Sequence, residues 1–226
     1  MANVAITGAA RGIALELVRQ YAANGDRVFA LCRAPSPALN ALAAASGGKV
    51  TIHEMDVGSD ASVKAGAAST GTDRIDILLN VAGVVGPMDN ELETADWNAW
   101  NEAFNINTCG PLRVLQAFLP RMGAGSKVIN FTSQVAASTW PLGGIYSYCA
   151  TKGGLNRMMG AVAIDLKDRG IVVGLVHPGW VQTDMGGPNA EIPVSESAEG
   201  IRKITAEWTL DRSGAFLKWN GETHAW

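Results

Sequence analysis

Cysteine and histidine are scarce in this chain, three of each among 226 residues. Cys32, Cys109 and Cys149 are odd in number and widely spaced, which excludes a disulfide framework, a C-x-x-C redox pair and a cysteine zinc site. They read as reduced thiols. Runs of like charge are missing too: 18 Lys and Arg residues are scattered under a net charge of −3, so neither nucleic acid nor an anionic membrane surface is an expected partner. No apolar run approaches the roughly 20 residues that span a bilayer. The stretch Asn3 to Thr7 reads as a strand with no signal-peptide features before it, and the expected location is the cytoplasm. No G-x-S-x-G elbow supports hydrolase chemistry. Of the imidazoles of His53, His177 and His224, that of His177, ahead of Pro178 at a strand end, reads as packed or hydrogen-bonded and not as a catalyst. With no internal repeat and no Pro/Gly/Ser-rich linker, residues 1–226 are expected to form one domain.

What is present is an alternation. Short β-branched and apolar runs recur at 4–7, 27–31, 49–55, 75–80, 127–131, 172–177 and 215–219. Between them lie helix-like segments at 13–23, 37–45, 61–68, 97–122, 148–168 and 195–208, the last with Ser195 as its N-cap. This is the pattern of βαβ units: an α/β chain with a doubly wound, seven-stranded parallel sheet covered by helices on both faces. Residues 178–194 form the one long irregular stretch, and such a loop in a compact domain is usually functional.

The turn Thr7-Gly8-Ala9-Ala10-Arg11-Gly12-Ile13-Ala14 follows the first strand and opens the first helix. That is the setting in which glycine allows a tight turn and a pyrophosphate meets the helix N-terminus. An Asp or Glu closing the second strand would select NAD; here Leu31-Cys32-Arg33 stands instead. Arg33, with Arg11 as a second cation, suits the 2′-phosphate of NADP(H). Asp56, after the third strand, is placed for an adenine amino group or for a turn cap.

Tyr148 and Lys152 stand four apart on one helix face. A tyrosine with a pKa near ~10 is a poor base, and an ammonium beside it, together with an oxidised nicotinamide, favours the phenolate. Ser133 ends the fifth strand, where a hydroxyl can polarise a carbonyl or simply serve a turn. Asn107 is an unfavoured helix-interior residue suited to kinking the helix or holding a water that relays protons to Lys152; Asn105 competes for that role.

With these residues in order, the chain resembles the short-chain dehydrogenase/reductase family over nearly its full length. The motifs are Thr7-Gly8-xxx-Gly12, Asn80-Val81-Ala82-Gly83, Asn107, Ser133, Tyr148-xxx-Lys152 and Pro178-Gly179 followed by Thr183. Gly143 to Tyr148, His177 to Pro188 and the ending at Trp226 look like the C-factor and sniffer-type carbonyl reductase branch. The resemblance implies a Rossmann fold and NADP(H)-linked hydride transfer between a carbonyl and its alcohol. Tyr148 would be the acid/base, Lys152 its electrostatic partner and a ribose ligand, Ser133 the carbonyl anchor, and Asn107 the support of a proton relay. Around the dinucleotide it implies Gly8, Ala10, Arg11, Gly12 and Ile13 at the first turn, then Arg33, Asp56 and Val57. Asn80, Ala82 and Gly83 follow, and Pro178, Gly179, Val181 and Thr183 border the nicotinamide. Ala14 in place of a third glycine, Val81 in place of an asparagine and Thr132 in place of a serine depart from the family pattern without removing a reacting group.

Gln134, Trp140, Tyr146, Trp180 and Met185 are the expected pocket wall for a bulky or aromatic carbonyl compound, although the tryptophans can equally pack a loop onto the body. Residues 97–122 and 148–168 correspond to helices that pack across a two-fold axis in many members, so a homodimer is an expected partner state, with monomers known in this branch. The rival to an enzyme is a dinucleotide-binding regulatory or signalling protein of the same fold.

Overall fold

A computed structural model describes residues 1–87, 94–141 and 143–226. The strands are β1 (Asn3–Thr7), β2 (Arg27–Cys32), β3 (Val50–Glu54), β4 (Ile77–Asn80), β5 (Lys127–Phe131), β6 (Val172–His177) and β7 (Phe216–Lys218). They form one sheet in the order β3-β2-β1-β4-β5-β6-β7, every neighbouring pair parallel. The order reverses between β1 and β4, and the crevice outside their carboxyl ends is where an open sheet of this kind binds ligands.

The helices are α1 (Gly12–Ala23), α2 (Pro37–Ala45), α3 (Asp60–Ser69), α4 (Trp97–Phe104), α5 (Gly110–Phe118), α6 (Tyr146–Asp165) and α7 (Val194–Glu207). Successive strand residues point to opposite faces. In β1, Val4 and Ile6 pack with Leu17 and Val18 of α1 and Ile201 of α7 on one side, while Ala5 joins Val114 and Phe118 of α5 and Leu155 and Met159 of α6 on the other. Two apolar layers thus sandwich a sheet that is hydrophobic on both faces, the arrangement that near-continuous apolar strands require.

Several boundaries differ from the sequence reading, each for a local reason. β4 begins at Ile77, and Ile75 N–H goes to Arg121 O at 3.0 Å and not to a neighbouring strand. β3 and β7 are each trimmed at both ends relative to 49–55 and 215–219. The segment expected as one helix over 97–122 is α4, a π turn at Asn105–Cys109, α5 and a 3₁₀ turn at Leu119–Arg121. Pro111 has no N–H for the carbonyl of Asn107 four residues back, so a regular helix cannot run through this point. α6 starts two residues before Tyr148 and stops at Asp165, where a 3₁₀ turn and left-handed Gly170 close it. Ser195 is not the N-cap of α7: Pro193 holds that place, and its carbonyl accepts from Glu196 and Ser197. The 178–194 stretch is also less irregular than expected, since Val181 bridges Ile192 in parallel, with Gln182 N–H to Ile192 O at 2.9 Å.

Among the described residues no helix is long and apolar enough to cross a membrane. Phe118 is fully buried between α5 and the sheet. Phe118→Ala is expected to lower the unfolding free energy by about 3–5 kcal/mol, read as a fall in the urea midpoint with an unchanged slope.

Candidate active site

The crevice is closed at its base by one hydroxyl. Thr7 Oγ1 receives the N–H groups of Val81 (3.0 Å) and Ala82 (3.1 Å) and donates to Leu79 O (3.4 Å), tying the end of β1 to the end of β4. Gly8 then turns at φ +71°, and a Cβ there would stand 2.9 Å from Ala82 Cα. The turn delivers Ala10, Arg11, Gly12 and Ile13 to the start of α1. No side chain caps that helix and its first turn holds no acidic residue, whereas Ser36 and Ser59 cap α2 and α3. The orphan N–H groups of α1 are therefore left for an external anion such as a pyrophosphate.

The loop after β6 stands over this turn. A Cβ on Gly12 would lie 3.5 Å from Thr183 Cγ2, and Thr183 Oγ1 is anchored by Gly186 N–H (3.1 Å) and Val181 O (3.3 Å). Pro178 and Gly179 lead into the loop; Val181 is buried. Arg11 reaches Asp184 across the mouth at 3.5 Å, with both side chains mostly in solvent, a pairing of little energetic weight. Arg33 is exposed at the end of β2 and has no ion-pair partner among the described residues. Both arginine side chains could turn to an external anion at small cost.

Other predicted cofactor residues have internal duties. Asp56 Oδ1 receives Gly58 N–H at 2.9 Å, the turn-cap alternative. Its neighbour Val57 is buried. Asn80 donates to Asn130 Oδ1 (2.9 Å) and Pro111 O (3.2 Å), joining β4, β5 and α5.

The four residues expected to carry the chemistry converge above β4 and β5. Lys152 is buried and donates from Nζ to Phe131 O at 2.8 Å; its Nζ lies 5.8 Å from the Tyr148 ring centroid. Asn107, fully buried in the π turn, binds Val84 through both amide atoms (Oδ1 from N–H at 2.9 Å, Nδ2 to O at 2.8 Å) and donates to Thr151 Oγ1 at 3.1 Å. Asn105 faces elsewhere, toward Gly58 O and Arg113. Gly83 sits between the key groups: a Cβ there would be 3.1 Å from Asn107 Oδ1 and 3.4 Å from Lys152 Nζ. A side chain at this position would crowd both atoms.

Burial sets the electrostatics. Desolvation pushes the Tyr148 phenol up to about 12, opposed by hydrogen bonding with Ser133, although the residue as a whole keeps partial exposure. Desolvation likewise pushes the Lys152 ammonium down to about 8. Lys152 alone therefore does not depress the tyrosine in this state; the expected pull toward phenolate requires further positive charge. Among the described residues no group of three or more His, Cys, Asp or Glu could hold a metal ion.

Three of the predicted pocket-wall residues are largely exposed. Trp140, Trp180 and Met185 are 40%, 46% and 53% exposed, and Gln134 and Tyr146 flank the Ser133 turn and the start of α6. Trp180 Nε1 donates to Gly186 O at 2.8 Å, so the indole braces its own loop while leaving a face free. The sequence reading left out the C-terminal segment. It folds back on β7 through a Leu217–Thr223 bridge, stacks His224 on Phe216 and brings Trp226 O to Ser138 Oγ at 3.0 Å. Asn220-Gly221 between Phe216–Lys218 and Glu222–His224 was the available signal, since Asn-Gly marks tight reversals.

Residues 2–192 match the family described as short chain dehydrogenase. The chain is 38% identical to C-signal of Myxococcus xanthus over 169 residues, 73% of this chain and 100% of that protein. Among solved structures it is similar to NADPH-bound carbonyl reductase from chicken fatty liver, with TM-score 0.91 and 31% identity over 100% of this chain and 99% of the other. It is likewise similar to carbonyl reductase Sniffer of D. melanogaster, with TM-score 0.92 and 27% identity over 100% of both.

The Lys152 shift has a measurable signature. Its ordinary value is 10.5 and its folded value about 8, so between these limits the unfolded chain holds more protons. Stability carried by this residue therefore rises with pH across that window and is lowest below it. The stability of Lys152→Met minus that of the parent is expected to be largest near about pH 7 and to shrink toward 10.5. Thermal melts across the window check this, and a pH-independent difference would refute the burial of a charged amine.

Proposed function

The chain belongs to the short-chain dehydrogenase/reductase family, and on that premise we propose that this oxidoreductase uses NADP(H) to interconvert a ketone or aldehyde and its alcohol. The observation that carries the reading is the meeting of Tyr148, Lys152, Asn107 and Gly83 beside the uncapped start of α1. When bound, the nicotinamide supplies or removes hydride at the carbonyl carbon. Ser133 Oγ donates to the carbonyl oxygen and holds it against the Tyr148 hydroxyl. Tyr148 gives that oxygen a proton in reduction and takes one back in oxidation. Lys152 would hold the nicotinamide ribose through its remaining N–H donors. Asn107 Oδ1 and Lys152 Nζ both lie beside Gly83, and a water held next to them would pass protons between Lys152 and solvent.

Arg33 and Arg11 are the 2′-phosphate ligands in this reading, which accounts for an exposed arginine at the end of β2 with no ion-pair partner among the described residues. Trp140, Trp180 and Met185 present apolar surface on the loops that frame the opening, and they suit a bulky or aromatic carbonyl compound. Likeness to C-signal keeps a second reading alive, a dinucleotide-binding protein whose output is signalling; presence of both Tyr148 and Lys152 favours the enzyme.

NADPH consumption with a panel of ketones and aldehydes tests the choice: tight NADP binding without turnover on any of them would favour the signalling reading. Tyr148→Phe is expected to cut kcat by about 10²–10⁴-fold, the worth of a positioned proton donor, with NADPH affinity retained. Arg33→Ala should raise the KM for NADPH by about tenfold to a hundredfold, the value of a charge-assisted hydrogen bond, and leave that for NADH nearly unchanged. Equal losses for both cofactors would remove Arg33 from the phosphate site.

A further inference from the structure

The turn that carries Ser133 is held from the neighbouring strand by an imidazole. The β5–β6 ladder makes its last backbone bond from Thr132 N–H to Val176 O at 2.9 Å. Beyond it β6 turns away at Pro178-Gly179, and Pro178 O is already taken by Ser197 Oγ at 2.6 Å. The next donor across the ladder, Gln134 N–H, instead finds His177 Nδ1 at 3.2 Å. Ser133 accepts Ala136 N–H on its carbonyl at 3.0 Å and Val135 N–H on Oγ at 3.4 Å within the turn, and its hydroxyl is hydrogen-bonded with Tyr148 of α6; the His177 bond ties that turn to β6.

The imidazole is fixed in turn by the C-terminal segment. His177 packs edge-on against His224 at 5.6 Å, and His224 stacks on Phe216 at 4.5 Å with its N–H on Phe216 O at 2.8 Å. The other flank of His224 faces the Trp140 ring at 6.2 Å. Trp140 belongs to the same loop as Gln134, and Ser138 between them donates to Trp226 O at 3.0 Å. Both ends of the loop after Ser133 are thus gripped by one cluster. Burial pushes His177 down to about 4, with His224 and Lys218 adding to the effect, so Nδ1 keeps the lone pair that the bond uses.

We propose that His177 is a positioning residue for Ser133, accepting the Gln134 N–H through Nδ1, and that His224 with the C-terminal segment holds its ring in place. This rests on the reading in which Ser133 orients the carbonyl. Its consequence is that hydride transfer depends on a side chain that touches neither substrate nor cofactor, since a displacement of about 1 Å at an anchor can cost 10²-fold in rate.

Three variants of the full chain test it. His177→Leu removes the acceptor, His177→Asn places a carbonyl oxygen where Nδ1 stood, and His224→Ala removes the stack. Amide exchange of Gln134, Val135 and Ala136 and steady-state kinetics with NADPH are measured together. In His177→Leu, exchange at Gln134 should quicken at least about tenfold, and kcat should fall by about tenfold to a hundredfold. The KM for NADPH and exchange in β1, β4 and β5 should not move. His177→Asn should restore most of both losses, and His224→Ala should fall between. Parent-like exchange and kcat in His177→Leu would overturn the proposal, as would failure of Asn to rescue or loss of core protection along with the turn. A parent protein inactive on every carbonyl would instead defeat the functional reading, and the exchange measurements would still decide whether His177 holds the turn.

Discussion

A buried ammonium organises this site. Lys152 is out of water, and a charge there is costly unless it is hydrogen-bonded. Its acceptor among the described residues, Phe131 O, belongs to the last residue of β5. That contact helps tie the first turns of α6 to the carboxyl end of the sheet, beside the bonds that Asn107 and Thr108 make to Thr151. Tyr148, one helical turn earlier, and Ser133, two residues past Phe131, then fall on the same opening. The same burial that pushes the ammonium down also pushes the phenol up, so the pair is poised in opposite senses and responds strongly to any further charge brought beside it.

The π turn at Asn105–Cys109 belongs to this arrangement. Pro111 forbids the regular bond to Asn107, and the resulting extra residue turns the Asn107 side chain inward against Val84 and Thr151. Thr151 neighbours Lys152, so a backbone irregularity in one helix is read directly by the next. Such π turns are frequent at functional sites. Here the cause is visible in two residues: a proline that cannot donate and an asparagine that can satisfy both a donor and an acceptor.

At the opposite side of the crevice the contacts are looser. Thr183 stands over Gly12 at a distance that only an added Cβ would close, and Arg11 meets Asp184 only in solvent. A ligand entering between glycine turn and loop therefore displaces little, while the rigid base made by Thr7, Val81 and Ala82 stays fixed. Rigidity below and weak closure above suit a site that must admit and release a large dinucleotide.

Much of this was legible in the residue order. The βαβ alternation carries the seven parallel strands, because strands buried on both faces must be apolar throughout and crossovers must be helical. The Gly8–Gly12 turn, Tyr148 with Lys152 and Ser133 at a strand end could be placed by local chemistry and spacing. So could the reading of His177 as a hydrogen-bonded residue, although its partner could not, since a bond from Gln134 joins residues far apart in the chain. Local signals also missed the division of the 97–122 segment, the true N-cap of α7 and the fold-back of His224 and Trp226 onto β7. Each depends on what a neighbouring element leaves unsatisfied: a carbonyl without its donor, an N–H claimed by another strand, an aromatic face needing cover. Residue order determined which groups this protein has for its chemistry. Only tertiary packing decided which of them lose water, and so which way their protons move.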